Sequence, residues 1–250
     1  MEDLENKVLN LANKAGKIAL ENGAETYRVE TIISKICKYF NLEPQCFVAI
    51  TGIITSVRNQ KGDSFCSVER VTSRTTNLNR VHMINNIVRN LNQYDFVELE
   101  KAVDDVKNVN RRYNKLINCM AYCLGAFFFT LLFNGQIPDA ITASIGGGVI
   151  FIISDFATKL QSNSFFLNTL GGFLCTLISY MGVKLGITKT VSYSTIGTIM
   201  LLVPGIALTN AIRDMVAGDL LSGISRAVEA FLIGVALACG TGFALYLIYW

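Results

Sequence analysis

Between residue 116 and the C-terminus the chain carries ten charged side chains, five acidic and five basic, in 135 residues. The first 115 residues carry 31. A soluble domain holds about 25% charged residues, so the second stretch cannot present an ordinary wetted surface. Over all 250 residues, 51% are apolar and 16% charged. That excludes a single soluble globular domain, a disordered chain and a disulfide-stapled secreted module. The pattern predicts an α-helical integral membrane protein with an N-terminal soluble α+β domain, divided into 1–112 and 113–250.

The soluble half reads as ααββαα. Val8, Leu11, Ala12, Ala15, Ile18 and Ala19 form one helical stripe, stopped by Asn22-Gly23. Val29, Ile32, Ile33, Ile36 and Phe40 form a second, closed by Asn41. From Cys46 to Arg58 the texture is β-branched, and a polar loop at 59–63 leads to Phe65–Val71, which predicts a β-hairpin. Helical spacing returns at Leu78, Val81, Ile84, Val88 and Leu91, and Asp95 with Glu98 makes a capping-box start for the last helix.

In the second half, five intervals are free of charge: 116–138, 140–154, 160–183, 190–212 and 230–250. About 20 apolar residues cross a bilayer as a helix. Four intervals are long enough; the second must borrow Gln136–Pro138 or tolerate Asp155. The expectation is five spans, with four plus a re-entrant segment as the alternative. Sixteen of the 20 glycines lie in this half, including Gly146-Gly147-Gly148 and Gly182-x-x-x-Gly186, as close helix packing requires. Lys107, Arg111, Arg112 and Lys115 flank the first span and place the N-terminal domain in the cytoplasm of a multi-pass cell-membrane protein. Lys159, Arg213 and Arg226 fall on the same side, Lys184 and Lys189 on the other, and Tyr246, Tyr249 and Trp250 anchor the outer interface.

Several chemistries find no support. A net charge of +3 with no dense basic run speaks against nucleic acid. The opening MEDLENK is too polar for a cleavable signal peptide. The seven cysteines contain no C-x-x-C pair and read as small packing residues; the lone histidine, His82, reads as a helix-surface residue. There is no nucleophile–base set and no phosphate-cradling loop, so no enzyme, cofactor or metal is expected.

The densest polar information in the second half is LLVPGIALTNAIRDMVAGDLLSGISRAVEA at 201–230. Pro204-Gly205 breaks an apolar run, as in helices that frame solute sites in transporters. Asn210, Arg213, Asp214, Asp219, Arg226 and Glu229 follow. Arg226 and Glu229 are spaced to pair on one helix face; adjacent Arg213 and Asp214 need other partners. The plain alternative is a solvated loop. In the soluble half, GAETYRVE at 23–30 sets Glu25 and Arg28 one turn apart, with Glu30 following; a helix start with acids at its positive end accounts for it equally.

At these residues the chain resembles the threonine/serine exporter family. The matching pieces are GAETYRVE (23–30), RVTSRTTNL (70–78, with Arg70 and Arg74) and PGIALTNAIRDMVAGDLLSGISRAVEA (204–230). The resemblance implies a soluble domain followed by transmembrane helices, in the form of the large subunit of a split exporter with a small membrane partner. It implies export of threonine and serine, or of a dicarboxylate such as succinate, through a lipid bilayer. Independently, so many small residues on only five spans leave helix-packing surface uncovered, which predicts oligomerisation with the small partner, as a homo-oligomer, or both. A membrane-anchored ligand-sensing or scaffolding protein is the alternative.

Overall fold

The computed structural model describes residues 2–109, 113–160 and 164–250. The Arg111-Arg112 cluster used above for orientation lies outside the described residues, as does the side chain of Lys159. The chain forms two compact units: residues 1–111 with 206–227, and residues 112–205 with 228–250.

The first unit begins with α1 (Glu2–Glu21) and α2 (Thr26–Tyr39). Their expected stripes are buried, apart from half-buried Phe40 just past α2, and they approach closely at Gly16, where a Cβ would stand 2.7 Å from Ile33 Cδ1. Gly23, at φ +97°, reverses the chain after α1, and the Ala24 N–H returns to the Ala19 carbonyl at 3.0 Å. Asn41 does the same after α2 at φ +59°. The β-branched stretch expected to be one strand is two: β1 (Glu43–Ala49) and β2 (Gly52–Arg58) turn at Ile50-Thr51, and β3 (Ser64–Arg70) completes an antiparallel sheet in the order β1-β2-β3. Continuous β propensity hid that turn, since neither turn residue is a glycine or proline. Val48, Ile53 and Val57 bury the inner face against the helices. α3 (Leu78–Arg89) and α4 (Phe96–Asn108) follow, and the predicted capping box of Asp95 and Glu98 is present. His82 is exposed on α3. Burial pushes the Cys37 thiol up to about 12 and Cys46 up to about 11, so both stay protonated packing residues at neutral pH.

The second unit contains α5 (Lys115–Leu132), α6 (Ile137–Leu160), α7 (Ser164–Lys184) and α8 (Ser192–Ile199). The fourth charge-free interval is therefore divided. α8 ends at Ile199, residues 200–204 are non-helical, and α9 (Gly205–Val216) starts after Pro204. α10 (Leu220–Tyr249) is continuous. α5, α6, α7 and α10 are long and apolar enough to cross a membrane. The short second interval does borrow from both ends, as α6 spans Ile137 to Leu160.

The glycines permit close backbone approach. A Cβ on Gly147 would lie 2.6 Å from the Tyr122 carbonyl oxygen on α5, and one on Gly146 2.8 Å from Thr198 on α8. In Gly182-x-x-x-Gly186 only the first residue packs, against Thr142; Gly186, at φ +71°, ends the α7 region.

Candidate functional site

The segment 206–227 groups with residues 1–111 in one compact unit. The reason is polar: Asn210, Asp214, Ser222 and Arg226 are buried, and their partners are in the soluble half. α9 and the start of α10 form a tight hairpin. Gly218, at φ +99°, makes the turn, the Asp219 N–H donates to the Asp214 carbonyl at 2.8 Å, and a Cβ on Gly223 would meet the Ala211 carbonyl oxygen at 2.9 Å. A solvated loop is not what forms here.

The hairpin is held by the turn between α1 and α2. Asn210 Nδ2 donates to the Gly23 carbonyl at 3.0 Å, and Arg226 Nη2 to the Ala24 carbonyl at 2.9 Å. The Thr26 backbone N–H donates to Asp214 Oδ1 at 3.1 Å, and its hydroxyl to Asp219 Oδ2 at 3.1 Å. Arg213 Nη1 donates to Glu25 Oε1 at 2.8 Å, while Arg28 Nε lies 3.3 Å from Glu25 Oε2. Arg226 Nε stands 3.0 Å from Asp214 Oδ2, with the Asp214 side chain 0% and that of Arg226 9% exposed. Arg226 thus pairs with Asp214; Glu229 is exposed on the part of α10 in the second unit.

Glu30 extends the network. Its Oε1 accepts the Val48 N–H at 3.1 Å, covering the edge of β1, and Ser222 donates to the Val48 carbonyl at 3.3 Å. The second motif enters through backbone: the Thr75 N–H donates to the Glu21 carbonyl at 2.8 Å and the Asn77 N–H to the Asn22 carbonyl at 3.0 Å. Arg70 and Arg74 are exposed. Pro204 and Gly205 lie at the helix break in the second unit.

Burial pushes the Glu25 carboxyl up, but its own backbone N–H, Arg213 and Arg28 outweigh that and hold it below the usual range. Burial pushes Asp214 up against the pull of Arg226 and Thr26, and leaves it above the ordinary value. Glu30 is also raised, by burial and by the Asp219 charge, against the Val48 N–H. Asp214 and Arg226 are consumed by these contacts. Arg213 keeps a side chain 57% exposed and retains donors for a carboxylate.

Thr26 was not picked out by the sequence, though it sits inside a quoted motif and joins two of the carboxylates. The carbonyls of Gly23 and Ala24 leave no trace in sequence, because every residue has one.

An α+β unit in the same chain as four helices long and apolar enough to cross a membrane marks a multi-pass membrane protein. The chain belongs to the threonine/serine exporter family, which it matches over residues 10–248. It is thus a membrane transporter by family. It is 23% identical to the "Probable succinate transporter subunit YjjP" of Klebsiella aerogenes, covering 95% of this chain and 93% of that protein. The protein of the same name in Escherichia coli K12 is also 23% identical, over the same shares. The "Threonine/serine exporter" of Corynebacterium glutamicum is 22% identical over 96% of this chain, which spans 51% of that protein. No solved structure matches.

Proposed function

We propose that this chain is the large subunit of a two-component exporter for a small polar solute carrying a carboxylate, either threonine and serine or a dicarboxylate such as succinate. The observation that supports the reading is the likeness to relatives named as transporter subunits, which the chain matches over 93% of their length at 23% identity. A small membrane subunit of the same family, a second copy of this chain, or both, supplies further helix-packing surface. Arg213 is the residue to which solute contact is assigned, with Asp219 and Glu229 as accessible titratable groups if protons are coupled.

The make-up of the first unit supports a five-crossing topology. A compact unit lies on one side of a bilayer, so residues 1–111 and 206–227 share a side and an even number of crossings separates them. α5, α6 and α7 supply three. The fourth falls to the stretch of α8 and the break at 200–204, and α10 makes the fifth, with the soluble unit cytoplasmic and the C-terminus outside.

Flux of labelled threonine, serine and succinate from vesicles, with and without a small family partner, tests the reading. Flux of one of these solutes that needs this chain is the expected result. No flux of any of them with both subunits present would overturn it.

A further inference from the structure

α2 and α3 enclose a groove of about 270 Å3 on the soluble unit that the network above does not use. Its floor is apolar, made by buried Ile32 and Val88. Its rim carries three cations, Arg28, Lys35 and Arg89, and the amide of Asn85, and none of the residues lining it is acidic. The spacing explains the clustering. Arg28 and Lys35 are seven apart on α2, two turns along one face, and Asn85 and Arg89 are four apart on α3. α3 itself contains no acidic residue.

Three cations around so small a volume repel one another, and they are poorly neutralised from within. Arg28 leans toward Glu25 at 3.3 Å, but that carboxylate already takes Arg213 at 2.8 Å. Among the described residues, neither Lys35 nor Arg89 has a carboxylate within ion-pair distance. The acid on the same helix, Glu30, is turned to the Val48 N–H. An apolar floor with convergent polar groups on the rim is the form of a small-molecule site. A groove of this size, open on one side, has room for a compact metabolite.

We propose that this groove binds a small dianion of the dicarboxylate or phosphate class. One acidic group lies between Lys35 and Arg89, and the other faces Arg28. Because Arg28 also faces Glu25, occupancy competes for the guanidinium and leaves Glu25 to Arg213 alone. The groove therefore connects the solute content of the compartment around the soluble unit to the contacts that hold residues 206–227. This is a control site on the soluble unit, separate from solute passage through the membrane.

Hydrogen–deuterium exchange on the full chain in neutral-lipid nanodiscs tests it, with succinate, inorganic phosphate or acetate added. The expected result is saturable protection of peptides covering Thr26–Lys35 and Asn85–Arg89 by succinate or phosphate, with acetate much weaker. In the Lys35→Gln/Arg89→Gln variant the concentration needed should rise at least about tenfold, since charge-assisted contacts are lost. Both side chains are exposed, so the variant folds. Absence of protection in the wild type, equal protection in the variant, or protection appearing only when anionic lipid is added would each overturn the proposal. The readout does not depend on flux, so loss of the exporter reading would leave it standing.

Discussion

The Asp214 carboxylate accepts the backbone N–H of Thr26 at 3.1 Å, from 188 residues away in sequence. Thr26 is the first residue of α2, whose opening N–H groups have no partner inside the helix. Glu25 precedes it but makes no side-chain cap bond. The cap comes instead from α9, and a negative charge there also meets the positive end of the helix. Arg226 completes the arrangement by neutralising the same carboxylate.

Asp214→Asn keeps an acceptor for Thr26 but strips Arg226 of its charge partner in a buried place. Removing one member of a buried pair costs about 3–5 kcal/mol. Thermal unfolding of the purified variant should show a loss of that size. Thr26→Val, which removes only the hydroxyl bond to Asp219, should cost about 1 kcal/mol. Equal stability of Asp214→Asn and wild type would mean that the pair does not hold the hairpin.

The pH response has opposite signs at neighbouring groups. The lowered Glu25 contributes stability that is fully present above the ordinary carboxylate value and is lost as pH falls through its folded value. The raised Glu30 and Asp214 weaken the fold as pH rises from the ordinary value through their folded values. Glu25→Gln should therefore destabilise most near neutral pH and converge on wild type in acid. Glu30→Gln keeps an acceptor for Val48 and should gain relative to wild type as pH rises. Denaturant unfolding across a pH series measures both.

Labelling resolves the sidedness. Lys61→Cys and Ala217→Cys, each in a cysteine-free background, place thiols at exposed positions of one unit. Both should resist a membrane-impermeant reagent on intact cells and react after permeabilisation. Lys189→Cys should react from outside. Opposite behaviour of the first two would break the five-crossing topology.

Two glycines separate packing from mere presence. A Cβ on Gly197 would lie 2.7 Å from the backbone nitrogen of Thr130, so Gly197→Ala must push α8 off α5. The expected result is a drop in folded, detergent-stable protein, since overpacking costs about 1–3 kcal/mol. Gly234 has nothing within 4 Å of that position, and Gly234→Ala should behave as wild type. Size-exclusion profiles of the two variants make the comparison.

The helices of the soluble half were legible because their apolar spacing is regular and their stops, Asn22-Gly23 and Asp95, act locally. The turn between β1 and β2 was not, because Ile50-Thr51 looks like strand. Charge-free length identified α5, α6, α7 and α10, but it joined α8 to α9 across Pro204. The polar residues of the third motif were legible as a group. Their partners were not, since a pairing such as Arg226 with Asp214 depends on a hairpin closed by Gly218 and Gly223. Charge counting could not show that a stretch lying between apolar helices completes the soluble unit.

That completion sets an order on how the protein is made. Synthesis runs at about 5–20 residues per second, so roughly 6–23 s separate the emergence of residue 111 from that of residue 227. Throughout that interval the turn at Gly23–Thr26 has no Asn210, Asp214 or Arg226 to receive it. The first part of that unit to leave the ribosome is therefore among the last to be finished, after α5–α8 have been made. Until residues 206–227 reach the turn, the carbonyls of Gly23 and Ala24 and the N–H of Thr26 wait without these partners.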